Sequence, residues 1–261
     1  MIAICLFALA FGAMSQALCD ARSNSTCVLN VNPLQYPSVY DFPFQSTAGT
    51  SNLFPMSLCE GITLEEATID QLQRFMKSGT LTSLQLLECY LGRVQQVDGY
   101  INSVIEANPD AHTIAKALDA EREAGSVRGP LHGIPFLVKD NIATKDRMET
   151  TAGSWALMGS IVPRDAHVVA KLRQAGAVLM GKATLSEWAD MRSNNYSEGY
   201  SARGGQARSA YNLTLNPGGS SSGSAAAVAA NVVTFSLGKL GSQHDTSDFA
   251  NAEQALRQMA V

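Results

Sequence analysis

Two segments of this sequence carry residue types that could perform nucleophilic and acid–base chemistry together. Lys139 follows the apolar run Ile134 to Val138, which is typical of a buried strand. A glycine–serine loop at residues 218–224 runs directly into an alanine-rich, helix-forming stretch. Glycine-rich loops at helix N-termini present backbone N–H groups and a positive dipole end, which stabilise a developing anion. A serine beside a neutral lysine is one known arrangement for hydrolytic catalysis.

Lys139 can act as a base only if its pKa falls from about 10.4 toward neutrality, a change of roughly 3 units. Asp140 would oppose that fall if it were close, but on a strand it points to the opposite face. The alternative interpretations are a lysine on the surface and a flexible Gly/Ser linker. Both remain open from these residues alone.

Two better-known motifs fit parts of the sequence and are rejected on physical grounds. Residues 176–183 (GAVLMGKA) have phosphate-loop spacing, but the four apolar residues favour a buried strand, and Ala183 cannot bind magnesium. Residues 219–223 (GSSSG) match a nucleophile elbow, yet Asn216-Pro217-Gly218 is turn sequence where a strand is required. The order of the later acids and His244 also fails for a hydrolase triad.

Composition and charge exclude several partner classes. The 261 residues include 19 basic and 23 acidic side chains, a net charge of -4, so no basic field attracts nucleic acid. The four histidines are scattered and nothing has zinc-ligand spacing, so we expect no metal and no organic cofactor. No apolar run reaches the roughly 20 residues that a membrane helix needs, so we expect no membrane association after signal cleavage.

The N-terminus predicts secretion. An apolar run of about a dozen residues followed by small residues is typical of a signal peptide, here cleaved between Ala17 and Ala21. The alternative is a buried N-terminal helix. If the chain is secreted, three Asn-x-Ser/Thr sequons would be glycan acceptors, at Asn24, Asn195 and Asn212. Outside the signal region three cysteines remain, which allow at most one disulfide and leave one thiol; they are Cys27, Cys59 and Cys89.

Periodicity predicts helices alternating with short buried strands, hence an α/β chain with a parallel or mixed sheet. Predicted helices begin with a capping box at Thr63 and Glu66, near Thr82, at Asn108-Pro109, at an Asp165 cap, and after Gly223. Predicted strands cover residues 134–138, 177–180 and 232–237. The stretch 22–61, rich in Pro, Ser, Asn and aromatic residues, is expected to be an extended arm.

Four ordered segments together resemble the amidase signature family over roughly residues 61–238. Within that family the sequence looks most like the secreted fungal branch. They are HGIPFLVKDN (132–141), TAGS (151–154), GKATLSEW (181–188) and NPGGSSSGSAAAV (216–228). The resemblance implies an α/β fold with a mixed sheet flanked by helices, and hydrolysis of a small-molecule amide by a Ser–cis-Ser–Lys triad. It implies that Lys139 is the general base or acid and that Ser220, after a cis peptide, relays the proton. Gly218, Gly219 and Ser221 would line the substrate and oxyanion loop.

The family's nucleophile loop does not follow where the resemblance implies it. After Gly238 the sequence diverges, and neither Ser242 nor Ser247 follows paired glycines. We therefore expect a signal peptide (1–21), an arm (22–61), a partial family domain (62–238), truncated after roughly its first half, and a divergent tail (239–261). Such a chain would lack amidase activity. The alternatives are a non-catalytic secreted binding protein and an unstable product with an unpaired sheet edge.

Overall fold

A mixed four-stranded sheet is the centre of the fold. The computed structural model describes residues 54–191 and 197–238. The strands are β1 (Val104–Ala107), β2 (Pro135–Lys139), β3 (Val178–Ala183), β4 (Tyr200–Ser201), β5 (Gly205–Gln206) and β6 (Phe235–Leu237). The main sheet has the order β1-β3-β2-β6, and β4 and β5 form a separate antiparallel pair. In the main sheet β2 runs parallel to both β3 and β6, whereas β1 is antiparallel to β3.

Five helices accompany these strands in the described part of the chain. They are α1 (Ile69–Lys77), α2 (Ser83–Ile101), α3 (Ala111–Glu123), α4 (His167–Gln174) and α5 (Ser222–Ala229). Two short 3-10 helices cover Trp155–Leu157 and Glu187–Asp190. The α/β class and the mixed sheet predicted above are confirmed, and within the described residues no helix has the length and apolarity to cross a membrane.

The two central strands explain why the sheet forms. Every residue of β2 and β3 is buried, and apart from Lys139 and Lys182 the two strands carry no charged or polar side chain, so their sequences do not alternate between apolar and polar residues. Phe136 on β2 stacks on Phe235 of β6 with ring centroids 5.3 Å apart. Apolar burial therefore stabilises the pairing that brings residues near 140 and near 237 to the same edge of the sheet.

Three of the predicted helix starts are wrong. The third helix begins at Ala111 with Asp110 as its N-cap, rather than at Asn108-Pro109. The first helix begins after Thr68, whose capping box partner is Gln71, and Glu66 instead has a positive φ of 54°. Both pairs fit the capping pattern, but only the second directly precedes the apolar face of the helix. Asp165 does not cap α4, because its carboxylate accepts a hydrogen bond from the Lys145 backbone N–H and pairs with Arg173.

The beginning of the described chain packs on α2. The Phe54 ring lies 5.0 Å from that of Tyr100, and Arg93 donates to the Phe54 carbonyl oxygen. Cys59 forms a disulfide with Cys89 of α2, which identifies the pair among the three candidate cysteines. The predicted signal peptide, most of the predicted arm, the tail 239–261, Asn24 and Asn195 lie outside the described residues.

Candidate active site

Lys139 is a buried lysine at the end of the central strand β2. Its side chain has no exposed surface, and β3 and β6 flank its strand on either side. The Nζ atom donates to Ser220 Oγ at 2.7 Å and to Ser221 Oγ at 3.1 Å. The first segment and the glycine–serine loop, singled out separately in the sequence, therefore meet in one place.

The loop that carries Ser220 is held by backbone and side-chain contacts on both sides. The Asn216 side chain accepts a hydrogen bond from the Gly218 N–H at 3.1 Å, and the peptide bond between Gly219 and Ser220 is cis. Downstream, the Ser220 carbonyl oxygen accepts a 3.1 Å hydrogen bond from the Ser186 N–H. The residue Ser186 was not assigned a role from the sequence, because a backbone contact leaves no signature in residue type.

At two glycines of the loop an added Cβ would overlap neighbouring atoms. A Cβ at Gly219 would lie 1.9 Å from a carboxylate oxygen of Glu198 and 2.5 Å from Ser186 Oγ. A Cβ at Gly223 would lie 2.4 Å from the Ser103 carbonyl oxygen. The Gly223 N–H also donates to the Thr184 carbonyl at 2.9 Å, so the first turn of α5 rests directly on the chain that leaves β3.

Asp140 points away from Lys139 and fastens the neighbouring loop. One carboxylate oxygen accepts hydrogen bonds from the Thr151 hydroxyl at 2.6 Å and the Gly153 N–H at 2.8 Å. The other carboxylate oxygen faces Arg203 at 3.8 Å. In turn, Trp188 donates its N–H to the Ala152 carbonyl. Asp140 thus links the strand end that bears Lys139 to the segment that holds the Ser220 carbonyl.

A second lysine, Lys182 on β3, is buried behind this region. It donates to the Ile142 carbonyl at 2.6 Å and to Thr150 Oγ1 at 3.1 Å. Burial lowers the pKa of Lys182 from 10.5 to about 8, and the nearby carboxylates of Asp140, Asp146 and Glu106 act in the opposite direction. The phosphate-loop interpretation of residues 176–183 is excluded, because Val178–Ala183 is a fully buried strand.

The remaining predicted site residues lie as follows. Gly218 and Gly219 immediately precede Ser220, and Ser221 joins it at Lys139 Nζ. Asn212 is exposed in a turn where its side-chain oxygen accepts hydrogen bonds from the N–H and hydroxyl of Thr214. Among residues 54–191 and 197–238, no cluster of three or more His, Cys, Asp or Glu side chains could hold a metal.

Comparison with known proteins gives a consistent set of relatives. A model of the family described as Amidase matches residues 85–240. A Schizosaccharomyces pombe protein whose name places it among amidases is 67% identical over 189 residues, 72% of this chain and 32% of its own length. An Arabidopsis thaliana protein that is also named as an amidase is 49% identical over 183 residues, 69% of this chain and 36% of its own length.

A solved structure shares the fold as well. The native peptide amidase of Stenotrophomonas maltophilia superposes with a TM-score of 0.64 at 49% identity, covering 66% of this chain and 35% of that one. The present chain therefore spans about a third of the length of the relatives it matches.

Proposed function

Because this chain belongs to the amidase signature family, we propose that it carries the proton-transfer part of a carboxamide hydrolase site. Lys139 is the general base and acid, and Ser220 relays the proton. The observation that carries this proposal is the 2.7 Å hydrogen bond between Lys139 Nζ and Ser220 Oγ at a lysine with no exposed surface. A lysine accepts a proton only in its neutral form, and burial disfavours the charged form.

In a complete site of this kind, a nucleophilic serine attacks the carbonyl carbon of a linear carboxamide. Its proton passes to Ser220 Oγ while the proton of Ser220 passes to Lys139 Nζ. Reversal of this relay protonates the leaving nitrogen, the C–N bond breaks, and water then hydrolyses the acyl-enzyme. The loop at Gly219 leads into the positive end of α5, whose dipole is suited to stabilise the oxyanion.

In the family, the nucleophilic serine lies in a loop after the position that corresponds to Gly238 of this chain. In this chain residues 239–261 contain Ser242 and Ser247, and neither follows paired glycines. Lysine and relay serine only move protons, so they cannot replace the attacking group. We therefore expect the purified 261-residue chain not to turn over a small aryl amide. Turnover that disappears in Lys139→Ala would contradict this expectation.

The expected setting is extracellular. The disulfide between Cys59 and Cys89 supports it, because disulfides persist mainly in oxidising compartments. The exposed position of Asn212 also supports it, since a glycan acceptor must reach solvent. Digestion of the secreted protein with an N-glycosidase should shift its mass, and Asn212→Gln should reduce that shift by one glycan.

A chimera tests the assignment of roles. Residues 1–238 of this chain are joined to the part of the S. pombe relative that follows the matched region, which restores a full family domain. We expect aryl-amide hydrolysis that falls by about a hundredfold or more in Lys139→Ala and in Ser220→Ala. The control Ser209→Ala, a half-buried serine whose hydroxyl accepts a bond from the Tyr211 N–H, should retain activity. A folded chimera that hydrolyses amides equally well without Lys139 would refute the assignment.

A further inference from the structure

We propose that Ser221 is itself a nucleophile in this chain and is acylated once by small activated acyl donors, with Lys139 taking its proton. The inference rests on the proposed function in one respect, since it uses Lys139 as the proton acceptor. It adds an activity that needs no serine beyond Gly238. The observation behind it is that Lys139 Nζ reaches Ser221 Oγ at 3.1 Å as well as Ser220.

Exposure distinguishes the two serines. Ser220 is buried, with 7% of its surface exposed, so a reagent has little access to it. Ser221 is only half-buried, and its hydroxyl is in contact with Lys139. A nucleophile needs both features, because it must meet the acyl donor and lose its proton to a base in the same step.

The place of Ser221 in the fold favours a negative charge on its oxygen. It is the residue immediately before α5, yet its side chain makes no capping hydrogen bond to that helix. The hydroxyl is instead directed to Lys139. The helix dipole adds positive potential at this end, which stabilises both an attacking alkoxide and the oxyanion formed after attack.

The reaction balances with the chain's own groups and an aryl ester. Ser221 Oγ forms a bond to the acyl carbon, the bond to the aryl oxygen breaks, and the aryl oxide leaves with the electron pair. The proton of Ser221 moves to neutral Lys139, which becomes an ammonium ion. An aryl oxide leaves without protonation, whereas an amide nitrogen must be protonated as it leaves. The site should therefore react faster with aryl esters, and with fluorophosphonates that release fluoride from phosphorus in the same way, than with amides.

The test is covalent labelling of the full 261-residue chain with an alkyl fluorophosphonate, followed by peptide mapping. We expect one adduct per chain, located on Ser221. A 4-nitrophenyl ester should give a burst of one equivalent of 4-nitrophenolate and no sustained turnover.

Three variants make the result specific. Ser221→Ala should remove the adduct, and Lys139→Met should slow labelling by about a hundredfold or more. Ser209→Ala, which alters another half-buried serine, should label like the unaltered chain. Cooperative thermal unfolding of each variant shows that it is folded. If a variant does not fold, the position of the adduct on the unaltered chain decides.

The inference is overturned by an adduct on Ser220 or another serine, by labelling that is unchanged in Lys139→Met, or by no labelling of a folded chain. These outcomes are separable from failure of the proposed function. An active chimera with an unlabelled natural chain rejects the nucleophilic role of Ser221 alone. An inactive, folded chimera with Lys139-dependent labelling of Ser221 rejects the amidase assignment alone.

Discussion

The carboxylate of Asp140 accepts a 2.6 Å hydrogen bond from the hydroxyl of Thr151, and both side chains are completely buried. Asp140 directly follows Lys139 in the sequence. The contact therefore holds the end of β2 against the loop at residues 151–153. A buried carboxylate is tolerated only when such partners compensate for lost hydration.

Asp140→Ala should destabilise the chain by about 3 kcal/mol, because it leaves the Thr151 hydroxyl and the Gly153 N–H without the buried carboxylate that accepts their hydrogen bonds. Urea unfolding followed by Trp155 and Trp188 fluorescence measures the change. The control is Asp110→Asn, which removes an ion pair with Arg147 whose side chains are 38% and 65% exposed. That pair should contribute less than about 1 kcal/mol. Equal losses in the two variants would mean that Asp140 is not a structural anchor.

Gly223→Ala should destabilise the chain by about 1–3 kcal/mol, because its methyl group would overlap backbone atoms of the chain around Ser103 and Thr184. Gly92→Ala is a matched control in the interior of α2, where an added Cβ meets nothing within 4 Å. That substitution should instead stabilise by about 0.5–1 kcal/mol through helix propensity. Thermal unfolding of both variants checks the opposite signs, and a stabilising Gly223→Ala would show that α5 can move.

Lys182 should make stability rise with pH in the alkaline range. Its pKa is about 8 in the folded chain against 10.5 ordinarily. Between these values the unfolded chain binds more protons than the folded one, so the free energy of unfolding increases as pH rises. Below pH 8 the buried charge is a constant penalty of roughly 3 kcal/mol at most. This penalty begins to decrease near the folded-state pKa of Lys182, about 8, and is absent above its ordinary pKa of 10.5.

Urea midpoints from pH 7 to 10.5 measure this effect as a difference between variants. Lys182→Met should show a smaller alkaline rise than the unaltered chain, because methionine carries no proton. Lys171→Met changes an exposed lysine of α4 and should keep the rise. Parallel pH profiles for the unaltered chain and Lys182→Met would contradict the assignment.

Reduction of the disulfide between Cys59 and Cys89 should destabilise the chain. The two residues are 30 positions apart, and closing a loop of that length contributes about 3–4 kcal/mol in the chain-entropy description. Unfolding with and without a reductant measures it. The double variant Cys59→Ala/Cys89→Ala should be equally unstable in both conditions, and a continued response to reductant would locate the sensitive bond elsewhere.

Several helices and strands could be predicted from the sequence because local residue patterns determine them. Buried runs predicted β2 and β3, and alanine-rich sequence predicted α5, since these signals depend only on neighbours along the chain. The short strand Val104–Ala107 was missed because its residues are half-buried or exposed and show no alternation. Thr63 and Thr68 both fitted a helix cap, and only the packed apolar face of α1 decided between them.

The sequence by itself determined the family, the α/β class and the two segments that bear Lys139 and Ser220. Only the tertiary structure decided that these residues, 81 positions apart, lie within hydrogen-bond distance. It also decided that Ser221 shares the same lysine and that Cys59 pairs with Cys89. Residue types and spacing report local preferences, whereas contacts across the sheet depend on the strand order, which burial of the whole apolar surface selects.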